Sequence, residues 1–319
     1  MIRWITASIL AFSMAALSSP SEAKQDIVLR LKWLNQAQFA GYYIAKEKGY
    51  YDAAGLDVSI QPGGPDFPAI QMVAGGSEQF GVTGADQILI ARGKGVPVVA
   101  LAAIYRRDPF VLFALKPSGI TSPAQFRGKR VGVKIGGNEE LIYRAILHKA
   151  GLSAADVTEI PVKFDLTPLL TGQVDVWPGY LTNEVLTAQE KGFETTIISP
   201  ADYGIALYAD TLFTTEAMLK QHPDTVRAFV AASLKGWNEA IADPEEAARI
   251  TLKYGNHLTY AHELAMMRAS IALLKPDEAP VGTMEDSSWA AMQTLLLDGG
   301  FLKHKLDLAR AYTVRFVTP

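Results

Sequence analysis

Apolar and polar positions along the chain follow two rhythms that take turns. Ile27, Leu29 and Leu31 interleave with Val28, Arg30 and Lys32, the period of two expected of a strand with one apolar phase. Phe39 to Lys48 shifts to helical spacing and ends at Gly49. Leu56 to Gln61 reads as the next strand, stopped by Pro62-Gly63-Gly64-Pro65. A helix near Pro68 to Ala74, a short strand from Gln79 to Thr83, a helix from Ala85 to Arg92 and a buried strand from Val96 to Ile104 complete one α/β unit.

A second unit follows. Phe110 to Lys116 is apolar, extended and read as a crossing between lobes, and Ser122 to Phe126 signals a short helix. Lys129 to Lys134 reads as a strand, and Gly136-Gly137-Asn138 leads into a helix from Glu139 to Ala150. Strands are predicted at Thr158 to Val162 and Val174 to Trp177, then Pro178-Gly179 and a helix from Thr182 to Lys191. The last strand of the unit is Thr195 to Ile198, and Tyr203 to Thr214 reads as a return crossing. Beyond it lie helices at Pro223 to Ala242, Pro244 to Tyr254, Tyr260 to Leu274 and Ser287 to Leu297. A tail of helices without a sheet of its own is expected to cover the first unit. The expectation is α/β, with a discontinuous lobe one (24–109 plus 207–319) and a continuous lobe two (110–206). The two crossings would form a hinge.

Composition narrows the functional classes. A chain of 319 residues suits two domains. The net charge of −3 gives no basic footprint for nucleic acid. The five histidines show no HExxH spacing, so no metal or other cofactor is expected. Cysteine is absent, which removes disulfides, thiolate sites and a lipidated cysteine anchor. Arg3, the apolar run Ile5 to Leu17 and Ser21-Glu22-Ala23 read as a signal peptide over residues 1–23. The mature chain is expected in the periplasm, not inserted in the membrane, and as a monomer.

Leu31-Lys32-Trp33, Gln38 to Tyr51, Gly55-Leu56-Asp57-Val58, Gly93 to Val98 and Lys129 to Val133 resemble the binding proteins for thiamine pyrimidine precursors. Relatives of that family bind nitrate, sulfonates or riboflavin. The resemblance runs from about Ile27 to about Ala242. It implies a two-lobed periplasmic-binding-protein-like fold of type II, with the membrane subunits of an ABC importer as partner. Formylaminopyrimidine or hydroxymethylpyrimidine would be the ligand, and riboflavin or a sulfonate- or nitrate-type anion is the alternative. The superfamily also contains the fungal thiamine pyrimidine synthase, which uses a Lys-bound pyridoxal phosphate, an active-site His and a Cys-rich motif. Alignment on Gly95 to Val98 puts Thr83 at the family Lys and Gln87 at the His, and no Cys exists. A binding protein is therefore expected, not an enzyme.

Ligands of open α/β sheets sit beyond the carboxyl ends of strands, and pockets favour domain interfaces. Trp33, Asn35 and Gln38 follow the first strand: an indole for a flat ring, an amide that donates and accepts, and a polar helix start. Asp86 and Gln87 open the helix after the third strand, with Asp86 alternatively a cap. Tyr105 ends the fourth strand and Tyr42 could wall the cleft, whereas Arg106 and Arg107 read as surface charges at the hinge. In the second unit the candidates are Gly136, Gly137 and Asn138, then Tyr180, Asn183 and Glu184. A carboxylate at Glu184 can accept side by side from an amino group and a protonated ring nitrogen, and the resemblance implies a ligand-binding Glu in this loop. The alternative role for Glu184 is stabilising its helix N-terminus.

Overall fold

The structure is a computed structural model that describes residues 24–135, 137–163, 165–275, 277 and 279–317, with Gly137 and Asn138 described in their backbone only. Residues 1–23, including the predicted signal peptide, lie outside it.

The first unit runs β1 (Gln25–Arg30), α1 (Ala40–Glu47), α2 (Tyr50–Ala53), β2 (Leu56–Gln61), α3 (Ala69–Ala74), β3 (Phe80–Thr83), α4 (Ala85–Gly93) and β4 (Val98–Ala103). The second runs β5 (Phe110–Leu115), β6 (Arg130–Val133), α5 (Gly137–Lys149), β7 (Thr158–Pro161), α6 (Thr167–Leu170), β8 (Trp177–Tyr180), α7 (Glu184–Glu190) and β9 (Thr195–Ile198). The chain then continues through β10 (Thr211–Thr215), α8 (Glu216–Gln221), α9 (Pro223–Ala242), α10 (Pro244–Thr251), α11 (Tyr260–Leu274) and α12 (Asp286–Asp298).

The first sheet has the order β2-β1-β3-β10-β4. β1 pairs in parallel with β2 and β3, and β10 pairs antiparallel with β3 and β4. The return segment therefore ends as a strand of the first sheet, its Thr211–Thr214 stretch buried. β8-β5-β9 form an antiparallel sheet, and β6 pairs in parallel with β7. A bridge from Val131 to Val176 joins the last two sheets.

One strand lies three residues later than its sequence suggests. Pro178 and Gly179 were expected to end a strand at Trp177, but both lie inside β8, with Pro178 opposite Leu112. β8 is an edge strand of its three-stranded sheet, the position where a residue lacking N–H is tolerated. The following helix accordingly starts at Glu184 rather than Thr182.

The tail packs on the first unit. α9 lies across α1 so closely that a Cβ on Gly236 would stand 2.1 Å from the Gly41 carbonyl. A Cβ on Gly41 would stand 2.2 Å from the Trp237 ring. Tyr42, Tyr43, Tyr51 and Trp237 are fully buried in this layer, and Phe229 stacks on Phe80 at 3.9 Å. The aromatic spacing after Phe39 is thus mainly core chemistry. Along the free edge of β4, Ala100 bridges to Tyr312 and Ala103 to Gly282, which covers an otherwise open row of backbone groups.

Two strands of chain connect the first sheet to the second, residues 104–109 and 199–210, and they are tied to each other. The Ile104 amide donates to the Asp210 carbonyl at 2.9 Å, and the Ala209 amide to the Tyr105 carbonyl at 3.0 Å. Arg106, expected on the surface, is buried here at 7% exposure, paired with Asp277 and, at 3.3 Å, with Glu285. These two carboxylates from the tail are what make its burial tolerable. Arg107 is exposed.

Candidate functional site

The parallel strands β1 and β3 end side by side, with Leu29 opposite Phe80 and Arg30 opposite Gly81. Side chains just beyond their carboxyl ends therefore converge. β1 delivers Lys32, and β3 delivers Asp86 through the first turn of α4. The two crossings add Asp108 and Asp210, and β8 adds Tyr180 from the opposite side.

Lys32 organises this group. Its ammonium donates to the Tyr180 hydroxyl at 2.8 Å and lies 3.2 Å from Asp210 Oδ1. It also sits 5.4 Å from the centroid of the Tyr180 ring. Burial works against its charge, but Tyr180, Asp210 and Asp108 together overcome burial and hold its pKa well above the ordinary lysine value. Asp210 is held from the other oxygen by Gln38 Nε2 at 2.7 Å, and Gln38 Oε1 in turn accepts from Gln36 at 2.6 Å.

The carboxylates are under strain from burial. Burial pushes Asp86 and Asp210 up against the opposing pull of Lys32, and it pushes Asp108 up to about 7. Asp108 also accepts from the Phe110 amide at 2.8 Å. Asp86 is fully buried; its Oδ2 accepts from Gln87 Nε2 at 2.7 Å, while its Oδ1 has no hydrogen-bond partner among the described residues. A bare carboxylate oxygen at full burial is costly and rare.

A second charged group lies beside the first. Lys134, just past β6, bonds to Glu184 at 2.8 Å and lies 3.4 Å from Glu139. Burial pushes Glu139 up, with Lys134 opposing, and Lys32 is also within its field. Burial opposes the Lys134 charge, and Glu139 and Glu184 outweigh it. Glu184 Oε2 accepts from the Tyr180 amide at 2.9 Å, so the residue both opens α7 and braces the end of β8. Two of its roughly four lone-pair positions are used. The acids Asp86, Asp108, Asp210, Glu139 and Glu184 outnumber the bases Lys32 and Lys134. Among the described residues two carboxylate oxygens of the region, Asp86 Oδ1 and Asp210 Oδ1, make no hydrogen bond.

The expected site residues divide by location. Gln38, Asp86, Gln87, Tyr180 and Glu184 belong to these two linked groups. Tyr105 is fully buried, in the field of Asp210 and Lys32, and donates its hydroxyl to Ser270 at 2.8 Å. Tyr42 is fully buried edge-on to Trp237, and its hydroxyl has no partner among the described residues. Trp33 is half-buried and packs against the first core. Asn35 has both ends occupied elsewhere, donating to the Tyr254 carbonyl at 2.9 Å and accepting from Tyr43 at 2.9 Å. Asn183 Oδ1 faces His262 Nε2 of α11 at 3.1 Å. Gly136 lies outside the described residues, as does the side chain of Asn138, and Gly137 is described only as the first residue of α5.

Lys32, Asp108, Asp210, Lys134 and Glu139 are not singled out by the sequence. Lys32 looks like the solvent phase of a strand, and Asp210 is 178 positions away from it. A usable signal was present at Asp108 and Asp210, since both sit on crossings where a hinge would fall.

A surface concavity of about 610 Å³ lies elsewhere, lined by Lys116, Gln189 and the turn and strand from Gly192 to Ile197. It contains none of the converging charges. Among the described residues no helix is long and apolar enough to cross a membrane.

Comparison with known proteins adds ancestry to this geometry. The family model described as NMT1/THI5 like matches residues 36–247. The riboflavin-binding protein RibY of Chloroflexus aurantiacus is 29% identical over 306 residues, 92% of this chain and 86% of that one. The formylaminopyrimidine-binding protein of Halalkalibacterium halodurans is 28% identical over 288 residues, 88% of this chain and 87% of that one. Among solved structures, the periplasmic aliphatic sulphonate binding protein SsuA of Escherichia coli superposes with a TM-score of 0.70 at 14% identity, covering 90% of this chain and 91% of that one. At that identity the likeness concerns the fold alone: a two-lobed periplasmic-binding-protein fold.

Proposed function

The chain belongs to the NMT1/THI5-like family, and on that premise we propose that it is an exported solute-binding protein that closes two lobes on a small heteroaromatic ligand and delivers it to an ABC importer. The lobes are residues 24–109 plus 207–319 and residues 110–206, and the cleft is the acid-rich space between β1/β3 and β8. The ligand is a thiamine pyrimidine precursor of the formylaminopyrimidine or hydroxymethylpyrimidine type. The formylaminopyrimidine-binding relative, matched over 87% of its length, supports this choice.

One observation carries the reading. Asp86 Oδ1 is fully buried and without a partner among the described residues, inside a group where carboxylates outnumber ammoniums. Such a space is completed by a ligand that brings N–H donors. An exocyclic amino group does so, and Asp86 and Glu184 are the acceptors we assign to it. An oxyanion has only acceptors to offer and would meet like charge at short range. The sulfonate and nitrate alternatives are therefore disfavoured.

Riboflavin is the second reading, because the riboflavin-binding relative is similar over 92% of this chain and a flavin ring also carries N–H and carbonyl groups. The synthase reading lacks support in the residues: Thr83 and Gln87 stand where the amine and imidazole would be needed, and no thiol exists. Export, the periplasm and the importer partner rest on the family and on the predicted signal peptide.

A thermal-shift screen tests the proposal. Hydroxymethylpyrimidine, formylaminopyrimidine, riboflavin, taurine and nitrate are added separately. At about 100 times the dissociation constant a true ligand stabilises by roughly 2.7 kcal/mol. Stabilisation by a pyrimidine and not by taurine or nitrate is expected, and its loss in Glu184→Gln would support the assigned acceptor. A shift with taurine or nitrate alone would remove the pyrimidine reading.

A further inference from the structure

Lys32 has no role yet in ligand recognition, although it stands at the centre of the cleft. Lysine carries three N–H donors. Among the described residues its hydrogen bond goes to the Tyr180 hydroxyl at 2.8 Å, and Asp210 Oδ1 lies 3.2 Å away as an ion-pair partner. That leaves an N–H for a ligand. Asp86 is complementary, with Oδ2 satisfied by Gln87 and Oδ1 bare at full burial. Both residues leave the same edge of the first sheet, because they follow the paired strands β1 and β3. Each also lies within the other's field.

We propose that Lys32 and Asp86 act together as a specificity pair: the remaining Lys32 N–H donates to an acceptor atom of the ligand, and Asp86 Oδ1 accepts from an adjacent ligand N–H. The inference rests on the reading of the cleft as the binding site and narrows the chemistry of its occupant. The ligand edge must present an acceptor beside a donor. An unprotonated ring nitrogen next to an exocyclic amino group satisfies this, as does a ring carbonyl next to a ring N–H. An oxyanion lacks the donor, and an amidinium protonated at the ring nitrogen lacks the acceptor. The Lys32 donor is also held partly by Tyr180, which comes from the other lobe. Tyr180 thereby orients the Lys32 ammonium from across the cleft, so closure favours the geometry that reads this edge.

Binding of 4-amino-5-hydroxymethyl-2-methylpyrimidine is compared by calorimetry with its analogue in which the ring nitrogen beside the amino-bearing carbon is replaced by C–H. In the wild-type protein the analogue is expected to bind about 10- to 100-fold more weakly, the range for losing a hydrogen bond to a charged group. In Lys32→Met both should bind with similar, reduced affinity. In Lys32→Gln, which keeps an N–H donor, part of the preference should return. The wild-type comparison needs no variant to fold. Equal binding of the two compounds to wild type would overturn the specificity pair and leave the transport role intact. Unchanged discrimination in a folded Lys32→Met would overturn it as well. Failure of every pyrimidine to bind, with riboflavin binding instead, would sink the pyrimidine reading; the pair then stands only if Lys32→Met weakens riboflavin at least tenfold, and falls if it does not.

Discussion

Removing the Asp210 carboxylate tests whether the buried charged group beyond β1 and β3 holds the folded molecule together. Asp210 is 1% exposed and has two partners, the Lys32 ammonium at 3.2 Å and Gln38 Nε2 at 2.7 Å. Asp210→Ala leaves the buried ammonium with one neutral hydrogen-bond partner and strands an amide donor. Breaking a buried ion pair from one side costs about 3–5 kcal/mol. Asp108 remains in the field of Lys32, which places the expected loss near the lower end, about 3 kcal/mol. At about 2–4 °C per kcal/mol the midpoint should fall by roughly 6–12 °C. Urea unfolding of wild type, Asp210→Ala, Lys32→Met and the double variant reads the effect directly. The double variant should be less damaged than the two single losses added together, by about 0.5–3 kcal/mol, because it removes charge and countercharge at once. An Asp210→Ala midpoint equivalent to less than about 0.5 kcal/mol of loss, or strict additivity in the cycle, would refute the reasoning.

Three further outcomes are expected. Asp108 has its folded pKa raised from 3.8 to about 7 by burial, so its contribution is full below the unfolded value and is lost as pH rises through about 7. The stability of Asp108→Asn should therefore gain on wild type between pH 4 and 7, by up to about 4 kcal/mol, and parallel curves in denaturant titrations across that range would contradict this. Tyr180→Phe removes the 2.8 Å bond to Lys32 while keeping the ring, so the ligand-free protein should show a larger radius of gyration in small-angle scattering, with about 1 kcal/mol of closure lost. Gly236→Ala drives a methyl to 2.1 Å from the Gly41 carbonyl and should cost about 1–3 kcal/mol in chemical denaturation without changing ligand specificity.

Much of the fold was legible because periodicity reports local burial. Leu56–Gln61, Thr195–Ile198, Pro223–Ala242 and Tyr260–Leu274 form as their apolar spacing predicts. β8 was displaced because Pro178 and Gly179 carry the local signature of a turn, and only its place at a sheet edge lets them pair. The return segment was legible as a crossing, but that its end would insert as β10 between β3 and β4 depends on long-range pairing. The candidate site was legible only in outline. Strand ends directed attention to Asp86, Tyr180 and Glu184. Lys32, Asp108 and Asp210 were not visible, because their meaning lies in contacts between residues that share no local pattern. Asn35 illustrates the reverse: its place after β1 suggested a ligand contact, and its side chain is bonded to Tyr43 and Tyr254.

Calorimetric titration of the purified protein with hydroxymethylpyrimidine and formylaminopyrimidine, each repeated with Asp86→Ala, tests the binding role most directly. One-site binding of a pyrimidine, weakened at least about tenfold by the substitution, is the predicted result. Saturable binding of taurine or nitrate, with no heat from either pyrimidine, would contradict it.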